Sequence, residues 1–228
     1  MLPRATTIPA GWFLMGCNNG QPDERPVHRV WLDAFAIAVC PVTNEDYARF
    51  VAATGHRPPP AWTDARFVDA EQPVVTVSWF EAIAYSQWLC DVSGSDWRLP
   101  TEAEREKAAL GGIEGARYPG GDALPAPDDA TLDRPGHVGL DRANGYGLHN
   151  MGDLVHEWCS DWYGATAYAL PPTHNPTGPA NGTRRVSRGG SWRHQVPVSR
   201  CAARSSLPPA STYADYGFRV VRGLAGDR

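Results

Sequence analysis

Side chains able to bind or react are concentrated between Arg188 and Arg222, near the end of the 228-residue chain. The stretch begins with Arg-Gly-Gly-Ser-Trp (188–192) and closes with Tyr-Gly-Phe-Arg-Val-Val (216–221). Both segments contain the glycine, aromatic and β-branched residues that are typical of short strands. The residues between them are mostly polar, and a long polar loop held between two strands usually forms a binding surface. We therefore predict the functional face here.

Several arginines of this stretch could clamp an anionic ligand through paired hydrogen bonds. They are Arg188, Arg200, Arg204 and Arg219. The alternative is a structural role, in which they pair with carboxylates such as Asp161 and Asp215 or with loop carbonyls. We expect the structural role for Arg188 and Arg219, which bracket the strands. For Arg193 and Arg204 both interpretations stay open.

A second group of candidate residues lies in Leu-Val-His-Glu-Trp-Cys-Ser-Asp-Trp (154–162), whose alternation predicts a central strand. His156 and Glu157 are neighbours on that strand, so their side chains point to opposite faces and are not expected to share a metal. A buried carboxylate needs a partner. A calcium ion with oxygen ligands would provide one for Glu157.

The elements that must position these residues are short, because the chain has 23 Gly, 21 Pro and 9 Trp. This composition predicts loops pinned by buried aromatic rings. Capping signals and apolar spacing predict three helices. They run from Thr43 to Gly55, from Ser78 to Gly94, and from Thr101 to about Leu110. Short strands are predicted at 11–16, 28–35 and 74–77, and no internal repeat is visible. The expected fold is a single α+β domain.

Charge and cysteine usage exclude several functional classes. The net charge of −4 comes without a basic stripe, so nucleic acid is not an expected partner. No stretch is apolar for long enough to span a membrane, and the N-terminus lacks the features of a signal peptide. The five cysteines are widely spread and odd in number, which favours a reducing cytoplasm over a disulfide framework.

Ordered motifs along the whole chain resemble one family. They include Phe-Leu-Met-Gly (13–16), Asp-Glu-Arg-Pro (23–26), Pro-Val-Thr-Asn (41–44), Arg-Leu-Pro-Thr-Glu-Ala-Glu (98–104), Asn-Gly-Tyr-Gly-Leu (144–148), Glu-Trp (157–158), Arg-Gly-Gly-Ser-Trp (188–192) and Gly-Phe-Arg (217–219). In this order they are similar to the sulfatase-modifying-factor family, whose named member is the formylglycine-generating enzyme. One departure is Arg105, where the family favours tryptophan; we expect it to alter local packing only.

The resemblance implies a C-type-lectin-like architecture over residues 8–222, with tails at 1–7 and 223–228. It also implies a calcium site that combines the Gly152 and Val155 carbonyls with Glu157. A substrate groove is implied beside Arg188–Arg204, and the residues predicted to bind a ligand there are Trp158, Ser191, Trp192, Arg193, His194 and Arg204.

The family's best-known activity needs two cysteines that bind Cu(I) as thiolates. His194 stands where the first of them would fall, and the shortened loop has no counterpart of the second. Cys201 lies further on and is interpreted as a small buried thiol rather than a reactive one. Copper is therefore not expected. A second branch of the family makes sulfoxides with iron held largely by a preceding helical domain, which this sequence lacks.

Two functions remain as hypotheses, with a third kept open. The first is a ligand-binding or accessory module, active in maturation of another protein, that does not generate formylglycine. The second is an oxygen-dependent oxidoreductase acting on a thiol, with an altered or partner-supplied metal site. The third, formylglycine generation by rearranged cysteines, would require Cys159 and Cys201 to approach each other.

Overall fold

Three helices begin and end where the capping residues of the sequence predict. Each follows a Ser or Thr whose hydroxyl accepts a backbone N–H of the first turn, and each is closed by a glycine in the left-handed region. Ser78 with Glu81, and Thr101 with Glu104, form complete capping boxes. The helices are α1 (Asn44–Thr54), α2 (Trp79–Ser93) and α3 (Glu102–Leu110).

The computed structural model describes residues 2–122, 133–193 and 196–224. Within these ranges ten short strands form three sheets, and together with the helices they make one α+β domain. The strands are β1 (Ala5–Ile8), β2 (Gly11–Met15), β3 (His28–Leu32), β4 (Phe35–Ala38), β5 (Trp97–Arg98), β6 (His156–Trp162), β7 (Arg185–Arg188), β8 (Arg204–Leu207), β9 (Tyr216–Gly217) and β10 (Val221–Gly223).

The sheets bring the two ends of the chain together. The first has the order β1-β4-β10-β5 and is antiparallel throughout, while β2 pairs with β3. The third has the order β8-β7-β6-β9, with β9 parallel to β6. Arg188 of β7 faces Arg204 of β8 in register, so the residues between them form a loop closed at its base. We call residues 189–203 the β7–β8 loop.

Several predicted boundaries are corrected by the structure. The predicted N-terminal tail is part of a sheet from Ala5 onward. The predicted strand at 74–77 is not formed, because Thr76 has a φ of 56° and the backbone turns there. The predicted strand at 188–192 ends at Arg188. Gly189 has a φ of 83°, and a Cβ on Gly190 would meet the Gly152 carbonyl oxygen at 2.5 Å, so neither position suits a residue with a side chain.

Helix α3 is polar in sequence, yet all nine of its residues are buried. Its alanines and Leu110 join an apolar cluster with Phe13, Met15, Val30 and Met151. A second cluster packs Trp158 and Phe218 against the aromatic rings of α1 and α2. The charged side chains of α3 therefore lie between two sheets and must find their partners inside the protein.

Candidate functional site

Glu157 is the centre of a fully buried ion-pair cluster. Its carboxylate accepts two hydrogen bonds from Arg105, at 2.8 and 3.0 Å, and two from Arg219, at 2.7 and 2.9 Å. None of the three side chains is more than 1% exposed. Burial acts to raise the pKa of Glu157, but the two guanidinium groups outweigh it and hold the pKa below its ordinary value.

The predicted calcium site does not fit this arrangement. All four hydrogen bonds to the Glu157 carboxylate come from cations, which would repel a further one. The Gly152 carbonyl, a second predicted ligand, accepts the Gly190 N–H at 3.1 Å. The partner that Glu157 needs is supplied by arginine.

Arg105 is the residue whose role the sequence reasoning missed. It contributes two of the four donors to Glu157 and also donates to the Met151 carbonyl at 2.9 Å. The expectation that Arg105 alters local packing only is therefore wrong. The signal was available: a cation placed where the family favours an apolar ring, in a helix rich in glutamate, needs a buried anion nearby.

Two arginines that flank the β7–β8 loop are anchored on the same helix. Arg188 pairs with Glu106 and donates to the carbonyls of Ala202 and Ala203 at 2.9 and 2.7 Å. Arg204 makes a two-pronged ion pair with Glu102 at 2.7 and 2.9 Å. The Arg204 side chain is fully buried, so it is unavailable to a ligand in an open groove, and its predicted binding role is corrected.

The structural role expected for Arg188 and Arg219 is confirmed, although their partners are Glu106 and Glu157 rather than the predicted aspartates. Arg200, left open as an anion clamp, forms an ion pair with Glu24, with both nitrogen–oxygen distances at 2.7 Å. The arginines of this stretch thus mainly hold the scaffold together.

Two more predicted groove residues lie inside the protein. Trp158 is completely buried and donates its indole N–H to the Val77 carbonyl at 3.0 Å, which removes it from the ligand-binding set. Ser191 is 3% exposed, and its hydroxyl lies 3.4 Å from the Asp215 carboxylate. Ser191 therefore supports the base of the β7–β8 loop.

Trp192 and Arg193 are the predicted groove residues that reach solvent in the described part of the chain. Trp192 is half-buried; its indole donates to the Ala214 carbonyl at 3.1 Å and its ring lies 6.2 Å from that of Phe67. Arg193 is exposed, with its guanidinium 5.4 Å from the Trp192 ring. We call Phe67, Trp192, Arg193 and Ala214 the Trp192 face. His194, which follows it, lies outside the described residues.

The thiols considered for copper chemistry are buried. Cys159 is fully buried, and burial raises its pKa well above the ordinary value. Cys201 is 6% exposed within the first apolar cluster, and burial raises its pKa to about 12. Burial thus disfavours the nucleophilic thiolate at both positions. Cys201 is the small buried thiol that the sequence suggested.

Comparison with known proteins places the chain in a family. The family model described as the sulfatase-modifying factor enzyme 1-like domain matches residues 1–224. The chain belongs to this family. The formylglycine-generating enzyme of Streptomyces coelicolor is 36% identical over 290 residues, which cover 96% of this chain and 90% of that enzyme.

Other similar proteins differ in length and setting. The serine/threonine-protein kinase Pkn1 of Chlamydia caviae is 36% identical over 244 residues, which cover 95% of this chain but 37% of that protein. The chain thus spans little more than a third of this relative. The structure of PvdO from Pseudomonas aeruginosa superimposes with a TM-score of 0.83 at 26% identity, covering 97% of this chain and 95% of PvdO. In the part of our structure that is described, no helix is both long and apolar enough to cross a membrane.

Proposed function

We propose that this chain is a ligand-binding or accessory module of the sulfatase-modifying-factor family, and that it recognises its partner through the Trp192 face. The observation that carries the proposal is the division among the predicted groove residues. Arg188 and Arg204 are already paired with glutamates of α3. Trp192 and Arg193 instead reach solvent and present an aromatic ring beside a guanidinium group.

The chemistry of this face favours an anionic or aromatic group on a protein or small molecule. An aromatic ring with an adjacent guanidinium offers stacking and a paired hydrogen-bond donor at one place. The glycines at 189 and 190 and the ion pairs of Arg188 and Arg204 fix the base of the loop that carries it. Such a rigid base reduces the entropy lost on binding.

An accessory role is supported by the relative named Pkn1. A region similar to nearly all of this chain forms a minor part of that kinase, so domains of this family work beside other units. The five cysteines are free thiols in the structure, which supports the reducing cytoplasm as the setting. Nucleic acid remains outside the proposal because the net charge is −4.

The test uses the anionic aromatic probe anilinonaphthalene sulfonate, followed by its fluorescence on the folded protein. We expect saturable binding that weakens at least fivefold in the double variant W192A/R193A. The matched control is W12A/R29A, because Trp12 is 43% exposed and Arg29 lies 4.8 Å from its ring, so the same chemistry is removed elsewhere. Equal losses in both variants, or no binding by the parent, would contradict the proposal.

An oxygen-dependent oxidoreductase acting on a thiol is the second candidate. It is favoured by the 36% identity to a formylglycine-generating enzyme across 96% of this chain. A sulfatase-derived cysteine peptide, supplied with oxygen and either Cu(I) or Fe(II), distinguishes the two. The binding-module proposal expects no oxygen uptake and no aldehyde or sulfoxide. Turnover with either metal would establish the oxidoreductase instead.

A further inference from the structure

A cavity of about 230 Å³ lies between β3, the start of α3, the end of β6 and the loop that follows β6. It shares no residue with the Trp192 face. Its walls are apolar on most sides and include Met15, Ala103, Tyr168 and Leu170. Pockets for drug-sized ligands are roughly 300–1,000 Å³, so this one suits a smaller molecule.

Asp161 brings a buried carboxylate to this cavity with one oxygen unused. The residue is 3% exposed. Its Oδ2 accepts the Glu102 N–H at 2.9 Å and the Ser160 hydroxyl at 3.1 Å. No described group donates to Oδ1. Oδ1 is not fully enclosed by protein, so it can accept a hydrogen bond from a ligand in the cavity.

The part of the loop after β6 that follows Leu170 supplies few donors to the carboxylate. It is built largely from prolines, which have no backbone N–H: Pro171, Pro172, Pro176 and Pro179. Gly178 packs directly against the carboxylate, since a Cβ there would lie 3.2 Å from Oδ1. The loop thus packs against the carboxylate without satisfying it.

The other polar groups of the cavity are acceptors or already paired groups, apart from the buried Tyr168 hydroxyl, which has no described partner and can either accept or donate. Both Glu102 oxygens accept hydrogen bonds from Arg204. His28 has its Nδ1 2.8 Å from the Pro26 carbonyl, so Nδ1 carries the proton and Nε2 is an acceptor in the neutral ring. Burial lowers the pKa of His28, which favours that neutral form. Apart from Tyr168, whose hydroxyl can also accept, the cavity therefore offers acceptors and apolar walls, which suit a ligand that donates.

We propose that this cavity binds a primary alkylammonium group, with Asp161 Oδ1 as its counter-ion and the proline-rich wall around its alkyl chain. An ammonium has three donors and no acceptor, which matches the unused oxygen. Arg204 does not oppose a cation strongly because Glu102 neutralises it at 2.7 Å. The alkylammonium belongs either to a free amine or to a lysine side chain.

Binding is expected to depend on pH through Asp161. Burial and the neighbouring Glu102 raise the pKa of Asp161 to about 7, so its charged form is scarce in acid. The charged and titratable groups around it are Glu102 and Glu104 of α3, Arg98 of β5, Cys159 of β6, Tyr168 of the following loop, Arg185 of β7, Arg204 of β8 and His28 of β3. An alkylamine stays protonated up to about pH 10. Its affinity should therefore rise between pH 6 and pH 8.5.

The experiment titrates the folded protein with n-butylamine and with n-butanol, which has the same carbon chain but no charge, and follows binding by NMR. We expect the amine to bind at least tenfold more tightly than the alcohol at pH 8.5. The variant D161N keeps an acceptor for the Glu102 N–H and should lose that preference. The control D91N removes one exposed charge from α2 and should keep it.

A further arm with Nα-acetyl-lysine methylamide identifies the source of the ammonium. Binding of this compound assigns the site to a lysine side chain, and binding of butylamine alone assigns it to a free amine. The proposal is overturned if amine and alcohol bind alike, or if D161N binds the amine as the parent does. If D161N does not fold, the affinity of the parent protein for butylamine is measured on both sides of pH 7. An affinity that does not rise with pH overturns the proposal.

Discussion

Glu157 with its two arginines allows a test in which a second substitution should partly repair the first. The change E157Q removes the anion but leaves Arg105 and Arg219 buried, each without a counter-charge. Breaking a buried ion pair in this way costs about 3–5 kcal/mol. R105M leaves the Glu157–Arg219 pair intact and removes charge-assisted hydrogen bonds worth about 1.5–3 kcal/mol. We therefore expect E157Q to be the more destabilising change.

The double variant R105M/E157Q tests whether removal of Arg105 restores part of the stability that E157Q loses. It leaves one buried guanidinium without a partner, where E157Q leaves two. We expect it to be more stable than E157Q alone by about 1–3 kcal/mol, because the two sites are directly coupled. Urea denaturation at pH 7.5, followed by circular dichroism, gives the free energy of unfolding for each variant. If E157Q does not fold, folding of the double variant would equally show that the double variant is the more stable protein.

The pH dependence supplies an independent check on the same carboxylate. The folded-state pKa of Glu157 is held below its unfolded value, so its contribution to stability is present above the unfolded pKa and is lost as the pH falls through the folded one. The difference in free energy of unfolding between the parent and E157Q should therefore become smaller in acid. The reasoning is refuted if R105M is the more destabilising single change, or if the two costs simply add in the double variant.

Three further predictions concern other buried groups. The folded pKa of Asp161 is raised from 3.8 to about 7, so the parent should lose about 3 kcal/mol of stability as the pH rises from 4 to 7. In D161N the free energy of unfolding, measured by urea titration at several pH values, should depend less on pH. An unchanged pH dependence would contradict the raised pKa of Asp161. Cys159 and Cys201 should resist a thiol reagent in the native protein at pH 8 and react once it is unfolded in urea; mass spectrometry locates the labelled residues, and rapid native labelling of either would show that it is accessible. Finally, EDTA should leave the melting temperature unchanged, because Glu157 is satisfied by Arg105 and Arg219; a clear fall on chelation, restored by calcium, would revive the calcium site.

The sequence predicts the helices well because their ends are determined locally. Ser78, Thr101 and the glycines that close each helix act within one turn, so their effect is visible in a few adjacent residues. The strands are predicted less well. Thr76 adopts a positive φ because distant segments hold it, and the Thr76 N–H bonds to the carbonyl of Tyr213.

The candidate site depends even more on contacts between segments that are distant in the sequence. The pattern Glu-Ala-Glu-Arg-Glu-Lys is typical of a solvent-facing helix, yet α3 is buried, and Glu102, Arg105 and Glu106 pair with residues more than 50 positions away. The family resemblance places Arg204 and Trp158 in a groove, and only their contacts show that they hold the scaffold. Trp192 and Arg193 follow a recognisable motif, which makes them visible in the sequence. For Asp161 the sequence indicates only a possible pairing with arginine.

The pairing of Arg188 with Glu106 and of Arg204 with Glu102 has a consequence for how this protein can vary. Both ends of the β7–β8 loop are tied to one helix, independently of what the loop itself contains. Doubling the length of a flexible loop costs only about 0.6 kcal/mol in closure entropy. Residues near Arg193 can therefore change at little thermodynamic cost, whereas Gly190, Ser191, Arg200 and Cys201 are held by contacts inside the protein. If the Trp192 face is the binding surface, substitutions beside Arg193 should change the ligand that the domain prefers without changing the ion pairs that fix the ends of the loop.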